Sequence, residues 1–154
     1  MKRSHKTWLA RGLCATALLV LAGLLFLLAR GLYYHYHPER RPVTSEMCVV
    51  AVWQDTGTLL AVYTGGSGEL CSLPAQACTL QDQAGAGLTL ADFSPGDVVL
   101  VSGRNEVLYS WPLGWPSASR IVRTGRTDPE LAAAALQQYE YVANAAGQQA
   151  AASG

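Results

Sequence analysis

The chain reads as a mainly β protein: an N-terminal transmembrane helix, a small barrel or sandwich of five or six short strands, and a C-terminal α-helix. Three observations predict this. Residues 12–29 contain no charged side chain, whereas Lys2, Arg3, Lys6 and Arg11 precede them and Arg30 follows. From residue 47 to about 124, valine- and aromatic-rich runs alternate with turn sequences at short spacing. After Thr127 the composition changes to alanine, leucine and glutamine, which favour helix.

The apolar run is roughly 27 Å long as a helix, close to the roughly 30 Å of bilayer hydrocarbon. Leu13, Leu18, Leu19, Leu21, Leu24, Leu25, Phe26, Leu27 and Leu28 make it apolar on every side, unlike an amphipathic surface helix. Tyr33, Tyr34, His35, Tyr36 and His37 follow as an aromatic belt suited to the headgroup region. Four basic residues lie before the span and Arg30, Arg40 and Arg41 after it. That bias places residues 1–11 as a cytoplasmic tip and the remainder outside. A cleaved signal peptide competes with this uncleaved signal anchor, but the apolar run is long and no small-x-small site follows it. Cys14 opens the run rather than following it, which argues against lipidation there.

The span and its belt cover 12–36, with residues 12–29 in contact with lipid, and 37–46 reads as a polar linker. The barrel domain is predicted over 47–126. Runs 47–53 and 58–63 flank Asp55-Thr56-Gly57 as a hairpin. Gly65-Gly66-Ser67-Gly68 is a second turn, 69–73 a third strand, and another strand follows near 78–80. Ser94-Pro95-Gly96-Asp97 is a tight turn, since proline presets φ and glycine admits positive values. It launches 98–101, the strongest strand signal in the chain. Gly103-Arg104-Asn105 turns this into a strand at 106–111, and 117–123 resumes the β pattern. Thr127 and Glu130 form a capping box with Pro129 in the first turn, opening a helix over 127–143. Leu131, Ala135, Tyr139 and Val142 would dock one face of it on the barrel, and 144–154 reads as a flexible tail.

Charge supports the division. All eleven acidic residues follow position 38, with six arginines beside them, so the outer part carries about five net negative charges. Such a domain repels phosphate backbones, which disfavours nucleic acid as a partner. Cys71 and Cys78 could close a small loop around Pro74, worth roughly 2.5 kcal/mol by loop entropy. Spacing leaves the connectivity open, because Cys48 could pair with either. All three are equally consistent with small buried apolar residues. Zinc would need a fourth ligand, and no histidine follows His37.

Catalytic patterns are weak. Asp55-Thr56-Gly57 matches the turn with which aspartic proteases present a carboxylate, and the alternative reading is a dimeric, carboxylate-dependent hydrolase using Asp55. A hairpin turn explains the same residues, and no second copy of the motif exists. Ser67 misses the nucleophile-elbow spacing because Glu69 occupies the final glycine position. No catalytic residue, metal site or cofactor is therefore expected. His35 and His37 read as members of the aromatic belt. Tyr109, Trp111 and Trp115, around two Trp-Pro steps, are the candidate ligand-binding residues. The competing reading packs both indoles over a barrel end or against the C-terminal helix.

The hairpin spanning 49–63, the run Gly96-Asp97-Val98-Val99-Leu100-Val101 and the strand ending Tyr109-Ser110-Trp111-Pro112 resemble the YobA-like family of small bacterial extracytoplasmic proteins. The resemblance covers about residues 48–124. It implies an OB-type barrel behind a membrane anchor, and no established biochemical activity. The order of anchor, barrel and tail is also similar to the haem chaperone of cytochrome c maturation. That family holds haem with a histidine near the end of its barrel, which this chain lacks. The expectation is a non-catalytic binding or scaffolding module of the cell envelope. Its partner would be an envelope protein, a peptide or a glycan.

Overall fold

A computed structural model describes the backbone of residues 4–152 and the side chains of residues 16–148. The expectations for Cys14 and for the whole 1–11 tip lie outside the described side chains. The chain divides into two compact units, Met1–Arg41 and Pro42–Gly154.

The first unit is helix α1, Ser4–Tyr36, followed by a 3₁₀ turn at Pro38–Arg40. Pro38 ends the helix because it lacks an N–H and pushes His37 away from helical geometry. Within α1, Thr16–Tyr36 is long and apolar enough to cross a membrane. Leu18, Leu19, Leu21, Leu24, Leu25, Leu27, Leu28 and Leu32 of this span are all exposed.

The second unit holds strands β1 (Pro42–Trp53), β2 (Thr58–Tyr63), β3 (Leu70–Leu73), β4 (Thr79–Asp82), β5 (Asp97–Arg104), β6 (Leu113–Gly114) and β7 (Ala118–Thr127), then helix α2, Pro129–Ala152. They form one mixed sheet in the order β4-β7-β5-β1-β2-β3-β6. Pairs β3/β6 and β4/β7 are parallel and the others antiparallel. The mainly β class with a helix at each end stands as expected. The sheet has seven strands rather than five or six, and its ladder does not close, leaving β4 and β6 as edges. Only residues 74–78, with a 3₁₀ turn at Ala75–Ala77, carry the chain from β3 to β4, and this turn packs against β2, β4 and β7.

β1 is the axis of the sheet. Its first half pairs with β5, from Pro42 opposite Arg104 to Cys48 opposite Val98. Its second half pairs with β2, from Met47 opposite Tyr63 to Trp53 opposite Thr58. Residues 42–46 are thus strand and not linker. Their polar side chains fit the pleat: Thr44 Oγ1 and Ser102 Oγ lie 2.9 Å apart, and Glu46 pairs with Arg126. The Arg126 guanidinium and the Thr64 hydroxyl hold the Glu46 carboxyl below its ordinary range.

Residues 47–50 of β1 and 59–62 of β2 are buried on both faces, which explains their continuous apolar sequence. Met47, Val49, Leu59 and Ala61 face one core with Cys71, Leu73, Phe93, Val99, Val101, Trp115 and Ile121. Cys48, Val50, Leu60, Val62 and Leu70 face the other, covered by Ala132 and Ala135 of α2. A bulge lies between Val49 and Ala51, whose partners Ala61 and Leu60 are consecutive. Val50 is the extra residue, and both it and Ala51 lie on the helix side.

Two glycines are required by close approach. A Cβ on Gly96, at φ +97°, would sit 3.2 Å from Cα of Pro129, the first residue of α2. A Cβ on Gly103 would sit 2.4 Å from the Ser117 carbonyl oxygen, where β5 and β7 shift register.

The 106–111 strand predicted from sequence is instead a loop. Leu108 and Gly114 exchange both backbone hydrogen bonds, at 2.7 and 3.1 Å, and pinch residues 109–113 into a tight excursion. Pro112 has no N–H with which to continue a ladder. The C-terminal helix also runs beyond its predicted end at 143, reaching Ala152, so the expected tail is helical over 144–152. Alanine and glutamine favour helix even where nothing packs on them.

Gly103→Ala should lower unfolding free energy by about 1–3 kcal/mol, the range for forcing a methyl into packed structure. Gly65→Ala has open space around its added Cβ and should stay within about 0.5 kcal/mol. Urea unfolding of the full chain in mild detergent compares them, and equal midpoints would contradict the packing at Gly103.

Candidate functional site

Trp115 is not a surface residue. It is 1% exposed, its indole N–H donates to the Arg104 carbonyl at 2.7 Å, and its backbone N–H donates to Ser72 O at 3.1 Å. It plugs the core where β6 leads into β7, which corrects the ligand-binding expectation for this position. A large ring with one donor is stable inside when that donor finds a carbonyl.

Trp111 and Tyr109 lie at the surface. Trp111 stacks on Tyr139 of α2, with ring centroids 5.2 Å apart and planes 15° from parallel, yet stays 46% exposed. Behind Tyr139 stands Trp53, the last residue of β1, at 5.9 Å. Tyr109 is 97% exposed and Tyr141 is 77% exposed. The array is assembled from three distant segments: the end of β1, the 105–112 loop and the middle of α2. Between Glu106 and Arg120 the chain carries no charge, so beyond Glu106 the loop holds only rings, Val107, Leu108 and Ser110. Ser110 stiffens it by donating from Oγ to Pro112 O at 2.8 Å.

Below the loop, Leu108 overhangs a shallow groove of about 290 Å³ whose walls include Thr58, Ser72 and Pro116. Trp53, Leu108, Tyr139 and Tyr141 were not singled out for the surface from sequence. Trp53 reads as the end of a strand and Tyr139 as a docking residue. Tyr139 does both jobs, because it meets Trp53 of the sheet at a 50° tilt while Trp111 stacks on it.

Asp55 sits exposed in the turn joining β1 and β2. Gln76 clamps that turn, donating from its backbone N–H to Gly57 O at 3.0 Å and from Nε2 to Thr56 O at 3.2 Å. Ser67 Oγ donates to the Glu69 carboxylate at 3.1 Å across the next turn. Both motifs have local hairpin roles.

The bridge between Cys71 and Cys78 that spacing allows is not made. Cys48, Cys71 and Cys78 are free thiols with different surroundings. Cys78 donates to the Pro74 and Ala118 carbonyls, each at 3.3 Å, Cys48 donates to Asp128 O at 3.3 Å, and Cys71 lies beside the Tyr63 hydroxyl. Burial pushes all three thiols up to about 11. Among the described residues, no three His, Cys, Asp or Glu side chains converge as a metal-holding group.

No protein-family model, curated protein or solved structure matches this chain.

Trp115→Ala should cost about 3–5 kcal/mol, as for a large core aromatic. Trp111→Ala should cost about 1 kcal/mol, the scale of one aromatic stack. Chemical denaturation measures both, and equal losses would place Trp111 in the core.

The raised thiols set a second expectation. A thiol held above its unfolded value near 9 in the folded state stabilises the fold fully below pH 9. That contribution is lost as pH rises through about 11. Reduced protein should therefore lose unfolding midpoint between pH 9 and 11, and replacing the three cysteines by alanine should flatten the decline. A pH-independent midpoint across that window would count against buried thiols.

Proposed function

We propose that this chain is a membrane-anchored binding or scaffolding module of the cell envelope. Its N-terminus is cytoplasmic and its folded unit extracytoplasmic, of the OB type that the YobA-like resemblance implies. Partners are captured on the aromatic surface around Tyr109, Trp111 and Tyr139. The supporting observation is the exposure of Trp111 in a stack that would be more stable if covered. Large aromatic side chains with few rotatable bonds supply much contact area at low entropic cost, and they dominate binding hot spots. The direction of the anchor is supported by the basic residues ahead of the span and by the acidic surplus beyond it.

A photo-crosslinking amino acid at Ser110, between the two exposed rings, tests this in intact cells. The unmodified surface should give discrete adducts with an envelope component. The Tyr109→Ala, Trp111→Ala pair should lose them while retaining expression and unfolding midpoint to within about 1–2 kcal/mol. Adducts that persist unchanged in the double variant would reassign both rings to packing. Protease treatment of intact and opened cells reads the side on which the folded unit lies.

A further inference from the structure

The first unit carries a cavity at the end of the apolar helix that the binding role above does not use. Gly31, Tyr34, His35, Pro38 and Arg41 line a cavity of about 510 Å³ where α1 gives way to the 3₁₀ turn. Gly31 has nothing within 4 Å of the position a Cβ would take, so this wall of the cavity is open. The Arg30 guanidinium lies over the Tyr34 ring at 5.7 Å, and Arg40 donates to the Tyr33 hydroxyl at 2.8 Å. Three arginines and two histidines thus gather within twelve residues. Glu39 is the one carboxylate of this segment. It is engaged by His37 at 3.3 Å and by Arg40 at 4.0 Å. Among the described residues, no carboxylate pairs with Arg30 or Arg41.

We propose that Arg30 and Arg41, with Tyr34 and His35, form a site for the phosphate of an anionic phospholipid headgroup. Guanidinium groups match phosphate oxygens through paired N–H donors and are more weakly hydrated than ammonium, so they give up water readily. The Tyr34 ring lies beneath the Arg30 guanidinium, and the Tyr34 hydroxyl is a further donor on a residue that lines the cavity. Leu28 and Leu32, both exposed on α1, offer apolar surface for the acyl chains. A zwitterionic headgroup also carries a phosphate, but its own cation would face two uncompensated arginines. The site should therefore select net negative lipid. The assignment rests on α1 crossing a bilayer, because only then does the cavity lie at headgroup depth.

The test uses the full chain. Carbonate extraction after reconstitution into vesicles first reads whether the chain is integral. Native mass spectrometry then compares phosphatidylglycerol with phosphatidylcholine of identical acyl chains, with soluble glycerophosphate as a competitor. Wild type should retain phosphatidylglycerol with roughly fivefold preference for each arginine involved. R30Q/R41Q should bring the two lipids to parity, while Arg120→Gln, far along the sequence in the folded unit, should keep the preference. Equal retention of both lipids by wild type, or an undiminished preference in the double variant, would overturn the site while leaving the anchor intact. Full displacement by glycerophosphate would reassign it to free phosphate esters. Release of the chain by carbonate would overturn the anchor and the site together.

Discussion

The bulge at Val50 is the constraint on which the folded unit depends. A twelve-residue strand that pairs with β5 over its first half and β2 over its second must bend, and one extra residue supplies the bend. The bend leaves the Val49 carbonyl without a ladder partner, and the Gly96 N–H takes it at 2.8 Å. The Gly96 carbonyl in turn accepts from Asp128 N–H at 2.7 Å, and the Asp128 carbonyl accepts from the Cys48 thiol. A short relay of hydrogen bonds therefore ties the bend in β1 to the turn before β5 and to the start of α2. The backbone oxygen freed by the irregularity becomes the anchor point for the helix.

That relay explains why α2 lies where it does and why an aromatic surface exists. With Pro129 against Gly96, the helix is directed across β1 and β2, and Ala132 and Ala135 let it approach closely. One turn further on, Tyr139 reaches Trp53, and on its outer side meets Trp111 from a loop more than fifty residues away from β1. The opposite core is locked by Trp115, and Thr124 ties β7 to β5 by donating from its buried hydroxyl to Val98 O at 2.7 Å. Two tryptophans four residues apart thus have different fates: Trp115 is buried with its indole N–H on a carbonyl, and Trp111 lies part-exposed on Tyr139.

Much of this architecture is legible in the residues themselves. The hairpin over Asp55-Thr56-Gly57, the turn at Ser94-Pro95-Gly96-Asp97 and the capped helix after Thr127 each carry local chemistry that admits few alternatives. Asp128 Oδ1 accepts the Leu131 N–H at 3.0 Å, so the N-cap is Asp128 rather than the Thr127 read from the capping box. Where local reading departed from the structure, long-range pairing decided. Residues 42–46 look like a linker because they are polar, but β5 lies beside them and their side chains alternate correctly. Residues 106–111 look like a strand because they are valine- and aromatic-rich, but a single bridge from Leu108 to Gly114 is all the pairing they make.

The amino-acid order alone determined the long apolar helix, the mainly β character, the turn positions and the uncharged aromatic segment. Each depends on composition or on contacts within a few residues. The tertiary structure decided the open seven-stranded order, the separate fates of Trp111 and Trp115, the free state of the thiols, and the partnership of Trp53 with Tyr139. Those outcomes depend on which distant groups meet, and spacing along the chain does not encode that until the sheet has bent around Val50.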